Sequence, residues 1–144
     1  MQDFQKLKVW GKAHAVALDI HRVAGGFPRR DGVTLTSQLR RAALSIPTNI
    51  AEGAGKGGDA EFRRYVQIAL GSASETTYHL LVARDLGLID GHTYDDLITR
   101  VVEVRRMLTG LLKRLDPLAF RSKEAGGHNT AVARGAASPQ KADS

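Results

Sequence analysis

Apolar residues recur along this chain at spacings of three and four, in four separate runs. In the first, Trp10, Ala13, Ala17, Ile20, Ala24 and Phe27 fall on one helical face, and Val9, Val16 and Val23 widen it. That pattern predicts a helix over 4–27, stopped by Gly25-Gly26 and Pro28. Residues 28–34 then read as a connection, with Asp31-Gly32 as its turn and Thr34 or Thr36 as the next cap. Leu35, Leu39, Ala43, Ile46, Ile50 and Gly53 mark a second helix over 35–55. Pro47 lies inside it, removing a backbone donor and crowding the carbonyl of Ala43. The apolar spacing passes the proline without a change of phase, so the expectation is a kink near 43–45 rather than a break.

The third run is the longest. Phe62, Val66, Ala69, Ala73, Thr76, Leu80, Ala83 and Gly87 step alternately by four and three, predicting a helix over 59–87, capped by Asp59 and about 40 Å long. A second stripe of Tyr65, Ile68, Ser72, Glu75 and His79 runs beside that seam, and Leu70, Leu81 and Val82 lie outside both. A helix apolar on several sides has several neighbours. After a loop at 88–92, Tyr94, Leu97, Val101, Val104, Leu108, Leu111 and Leu115 give a fourth helix over 93–115, ended by Pro117. Four amphipathic helices with short connections imply an all-α, antiparallel up-down-up-down four-helix bundle over residues 1–116. Residues 117–144, rich in Ala, Gly, Ser and charge and without a period, read as a disordered tail.

Charge and cysteine content narrow the function. The net charge is +6, and the chain beyond Leu115 contributes only +1 of it, so the basic bias belongs to the helices. Such a balance favours an anionic partner, with nucleic acid first. There is no cysteine, which excludes disulfides, thiolate metal sites and a thiol nucleophile. No long apolar run marks a signal peptide or a membrane span, so the expectation is a soluble cytoplasmic protein without a membrane partner.

Candidate chemistry is sparse. Gly53, Gly55 and Gly58 match G-x-G-x-x-G formally, but they leave a helix rather than a strand, so the run reads as a helix end and loop. No Glu-x-x-His pair of the di-iron bundles occurs. Glu52, Glu75 and His79 could meet one ion, although a buried or interfacial role suits them better; no metal and no cofactor is expected. No serine sits in a strand–turn–helix elbow, so the chain is read as a non-enzyme. Asn49 and Glu52 are three apart on the second helix, and Ser72 and Glu75 three apart on the third. Buried polar groups must be paired, so these four are expected to form a network that fixes register or lines a subunit contact. The alternative is that Glu52 and Glu75 face solvent. Arg40, Arg41, Lys56, Arg63 and Arg64 are the candidate phosphate contacts. The last three flank the start of the third helix, where free amides and the helix dipole favour an anion.

Three segments together carry a resemblance. They are Leu7-Lys-Val-Trp-Gly-Lys-Ala-His14 with Phe27-Pro28; the run from Leu35 to Gly53 that contains Ser-Ile-Pro-Thr-Asn-Ile-Ala-Glu-Gly; and Glu61-Phe62, Ile68–Glu75 and Ala83-Arg-Asp-Leu-Gly87. Over about residues 4–115 the chain resembles the bacterial four-helix-bundle family named for proteins encoded within intervening sequences of 23S ribosomal RNA genes. The resemblance implies an antiparallel bundle that assembles as a homopentamer, without known catalytic activity, and it implies RNA or DNA as a partner. Gly55-Lys-Gly-Gly58 is richer in glycine than the family pattern, and the chain beyond Leu115 lies outside it. The competing expectation is a protein-interaction scaffold whose basic surface meets an acidic protein rather than nucleic acid.

Overall fold

The structure is a computed structural model that describes residues 2–115, and their side chains except those at 31 and 32. The disordered tail expected over 117–144 lies outside the described residues. A short 3₁₀ turn, Phe4–Lys6, precedes four α-helices: α1 (Lys8–Gly25), α2 (Arg29–Ala54), α3 (Asp59–Asp85) and α4 (Gly91–Leu115). Helix α1 packs on α2 and α4, and α3 packs on the same two, so α1 and α3 stand on one diagonal of an antiparallel bundle. The four seams meet in one core. Ala13, Ala17, Ile20, Leu39, Ile46, Ile50, Val66, Ala69, Leu80, Val101, Val104 and Leu108 are all fully enclosed there.

The helix starts differ from the sequence reading. Helix α1 begins at Lys8 rather than residue 4, because Asp3 caps the separate turn by accepting from the Gln5 amide at 3.0 Å. The connection expected over 28–34 contracts to Gly26-Phe27-Pro28. Pro28, extended at φ −60° and ψ 136°, leads directly into α2, and Asp31-Gly32 lies within the helix. A proline needs no donor at a helix start, and that local fit outweighs the Asp-Gly turn signal. Thr36 therefore caps nothing at the start of α2; its hydroxyl lies 3.5 Å from the Ala24 carbonyl of α1. Trp10, placed on the seam by spacing, is only half-buried and stacks on His14 with ring centres 4.8 Å apart.

Helix α2 continues through Pro47, which is buried. Around it, side chains bond back to carbonyls one turn earlier: Thr48 Oγ1 donates to Leu44 O at 2.7 Å and Asn49 Nδ2 to Ser45 O at 2.8 Å. These back-bonds flank the proline, next to the Ala43 carbonyl that loses its amide donor. Gly55 caps the end of α2, and Gly57 turns the chain at φ 86°, a left-handed conformation open to glycine. Gly58, not Asp59, is the cap position of α3, and Asp59 instead places a carboxylate in its first turn. Helix α3 ends two residues before Gly87. That glycine adopts φ 74° while Leu88 N bonds Ala83 O and Gly87 N bonds Arg84 O, both at 2.9 Å. Asp90 starts α4, its carboxylate accepting from Thr93 N at 2.7 Å.

Candidate nucleic-acid interface

Antiparallel order decides which charges share a surface. The starts of α1 and α3 lie at the same end of the bundle as the ends of α2 and α4. The amide of Gln2 donates to Ala54 O at 3.0 Å, tying the N-terminus to the end of α2. One cavity is lined by Gln2, Gly53, Gly58 and Phe62, and another by Leu7, Lys8, Leu111 and Arg114, which completes the neighbourhood. This end collects Lys6 and Lys8 from α1 and its preceding turn, Lys56 from the α2–α3 loop, Arg63 and Arg64 from α3, and Arg106, Lys113 and Arg114 from α4. Lys6, Lys8, Lys56, Arg106 and Arg114 form no ion pair with any described residue. Toward the opposite end Arg22 pairs with Asp19, Arg84 with Asp85, and Arg100 with both Asp19 and Asp96, whereas Arg29 has no ion pair with a described residue.

The start of α3 adds an aromatic surface. The guanidinium of Arg64 lies 4.7 Å from the ring centre of Tyr65, and Lys56 Nζ lies 5.8 Å from it. Both are within cation–π range. Arg64 also donates to Glu61 at 3.4 Å, and that hydrogen bond raises its pKa further above the ordinary arginine value. Helix α3 has no side-chain cap, so its first amides point at this surface without a protein acceptor from a capping residue.

The predicted phosphate contacts separate. Lys56, Arg63 and Arg64 lie together at the basic end. Arg40 does not: its Nε and Nη2 donate to His21 O at 3.1 and 2.9 Å, closing the C-terminus of α1 from across the α1–α2 groove. Arg41, its neighbour in sequence, is exposed on α2, away from that end.

The predicted polar network also separates. Ser45 Oγ lies 2.7 Å from Ser72 Oγ and accepts from Asn49 Nδ2 at 2.9 Å, so Asn49 and Ser72 are joined through Ser45. Thr76 extends the line by donating to Ser72 O at 2.8 Å. Glu52 and Glu75 stand exposed and make no hydrogen bond or ion pair with a described residue. Ser45 was the missing member, and its spacing was the available signal: 45, 49 and 52 form one polar stripe on α2. Among the described residues no three His, Asp or Glu side chains are grouped to hold a metal ion. None of the described helices is long and apolar enough to cross a membrane.

A crystal structure of a protein of unknown function from the S23 ribosomal protein family of Bacteroides thetaiotaomicron superposes on this fold with a TM-score of 0.67. The two share 24% identity over 73% of this chain and 98% of the other. A comparison with curated proteins gives no match. The family model described as 23S rRNA-intervening sequence protein matches residues 5–110, which holds all three resemblance segments and both halves of the Asn49–Ser45–Ser72 link. The chain belongs to that family.

Proposed function

We propose that this protein is a non-enzymatic, self-assembling helical bundle that binds RNA or DNA through its basic end. The observation that carries the reading is the gathering of cations from α1 and its preceding turn, the α2–α3 loop, α3 and α4 onto one end, five of them without an acidic partner among the described residues, beside the Tyr65 ring. Cations flanking an aromatic ring suit a strand that offers both phosphates and base faces. Lys56, Arg63 and Arg64 are the contacts retained from the sequence; Lys6, Lys8 and Arg114 join them. The test is fluorescence anisotropy with labelled single- and double-stranded oligonucleotides over a range of salt. Affinity is expected to fall steeply as salt rises, with the log–log slope reduced by about 0.7–0.9 for each phosphate-contacting side chain removed. Binding that is absent, or unchanged by salt, would overturn it.

A second observation favours self-assembly. The large apolar side chains that remain most exposed, Val33 (61%), Leu44 (37%), Ile68 (41%), Tyr78 (62%) and Leu86 (60%), all belong to α2, α3 or the turn that ends α3. An exposed apolar band of this kind marks an interaction surface. We read its middle, around Leu44 and Ile68 and the Ser45–Ser72 link, as the contact between copies. A homopentamer is the assembly the family resemblance implies. Light scattering on a sizing column tests it; a monomer at micromolar concentration would sink the reading.

A further inference from the structure

A cavity of about 440 Å³ opens between the start of α2 and the last turns of α3, at the end of the bundle opposite the basic one. Its volume falls within the range of small-molecule sites. Nothing in the proposed nucleic-acid surface uses it. The aromatic side chain of Tyr78 and the apolar Val33 form exposed parts of its wall. Arg29, Arg30, Thr34, Gln38 and His79 supply the polar parts, and no Asp or Glu is among the described residues that line it.

His79 is the unusual member. It is 8% exposed, and its Nδ1 is fully buried without a hydrogen-bond partner. An unpaired buried N–H is the rarer and costlier of the two ways to leave that nitrogen. The ring is therefore better served with its proton on Nε2, which presents a donor to the cavity. Every charged or titratable polar group described on the lining can then donate: the Arg29 and Arg30 guanidinium groups, the Tyr78 hydroxyl and the His79 ring. Helix α2 begins here without a side-chain cap, so its positive end adds to the same field.

We propose that this cavity binds a nucleoside 5′-phosphate, either as a free nucleotide or as the phosphorylated end of a nucleic-acid strand. The base lies against the Tyr78 ring and Val33, with the Gln38 amide positioned to pair with its edge. The phosphate lies at Arg29 and the α2 start, and His79 Nε2–H donates to an oxygen of the ligand. The site is separate from the basic end and does not depend on it.

The experiment is calorimetric titration of the full chain with adenosine 5′-monophosphate, adenosine and inorganic phosphate, repeated with a short oligonucleotide carrying either a 5′-phosphate or a 5′-hydroxyl. Saturable binding of the monophosphate is expected, with adenosine and phosphate each at least about tenfold weaker. Arg29→Ala should weaken the monophosphate about tenfold and leave adenosine unchanged. Tyr78→Ala should weaken both, and His79→Phe, which keeps a ring in the core, should weaken the monophosphate. Arg64→Ala, at the other end, should leave the affinities for the monophosphate and for adenosine unchanged. Preference for the 5′-phosphorylated strand over the free nucleotide assigns the site to strand ends; the reverse assigns it to free nucleotide. No saturable binding at millimolar monophosphate, or equal affinity for wild type and Arg29→Ala, overturns the proposal. So does loss of monophosphate binding in Arg64→Ala, which would move the site to the basic end.

Discussion

Gly53 and Tyr65 set the approach of α2 to α3: a Cβ placed on Gly53 would lie 2.6 Å from the Cβ of Tyr65. It would also lie 2.9 Å from Phe62 Cδ2, and neither neighbour is the free end of a flexible side chain. Glycine in a helix interior ordinarily costs about 1 kcal/mol relative to alanine. Here the sign reverses, because the methyl group must push two helices apart. Gly53→Ala should destabilise the fold by about 1–3 kcal/mol, lowering Tm by at least about 4 °C. Gly11→Ala is the matched control. Gly11 is an exposed α1 residue whose added Cβ would meet nothing within 4 Å, so that change should raise stability by about 0.5–1 kcal/mol. Thermal unfolding followed by circular dichroism checks both, and equal Tm changes would refute the close-approach account.

Arg40 and Arg64, both candidate phosphate contacts by sequence, have opposite expected effects. Arg40 closes the α1 C-terminus through two hydrogen bonds to His21 O, and Gly25 leaves room for it, since a Cβ there would lie 2.5 Å from Arg40 Nη2. Arg40→Ala should cost about 1 kcal/mol of stability, discounted for partial exposure, without altering the salt slope of nucleic-acid binding. Arg64→Ala should leave the unfolding free energy within about 0.5 kcal/mol of wild type and lower that slope. The assignment fails if Arg40→Ala reduces the slope as much as Arg64→Ala does.

These two arginines also show where sequence reading stops. The seams were legible because a helix places residues three and four apart on one face whatever lies across from them. Leu39, Ala43, Ile46 and Ile50 are buried as their spacing implies, and α2 runs on through Pro47. Helix starts were less legible: Pro28 opens α2 six residues before the expected point, because its local backbone preference overrides an Asp-Gly turn signal. Site residues were legible only where one short segment holds them, as with Lys56, Arg63 and Arg64. Arg40 and Arg41 sit about 100° apart on one helix, so their roles depend on which neighbour occupies each direction. The basic end joins Lys6 to Arg114, residues at opposite ends of the described chain, and only the antiparallel order brings them together.

The Ser45–Ser72 contact lends itself to a double-mutant cycle. Their hydroxyls are 2.7 Å apart, and Asn49 Nδ2 holds Ser45 from the other side. Removing either serine leaves a part-buried polar group short of a partner. Each single alanine should therefore cost about 1 kcal/mol, while the double variant costs less than the sum, with a coupling of about 0.5–1 kcal/mol. Chemical denaturation of the four proteins measures it. Coupling below about 0.3 kcal/mol would mean that the contact contributes little beyond its packing.

Asp90 gives the fold an acid-sensitive point. Its carboxylate accepts the Thr93 amide at 2.7 Å at the start of α4, and that bond lowers its pKa below the ordinary 3.8. The folded pKa is depressed, so the stabilisation is present above the unfolded value and is lost as pH falls through the folded one. Asp90→Asn isolates the charge, since asparagine caps helices about as well and does not titrate in this range. Between pH 7 and 5 the two proteins should hold a constant difference in Tm. Below about pH 4 the wild type should lose stability faster, and the difference should shrink as Asp90 becomes protonated. Parallel Tm curves from pH 5 down to pH 2.5 would show that the carboxylate gains nothing from its place at the helix start.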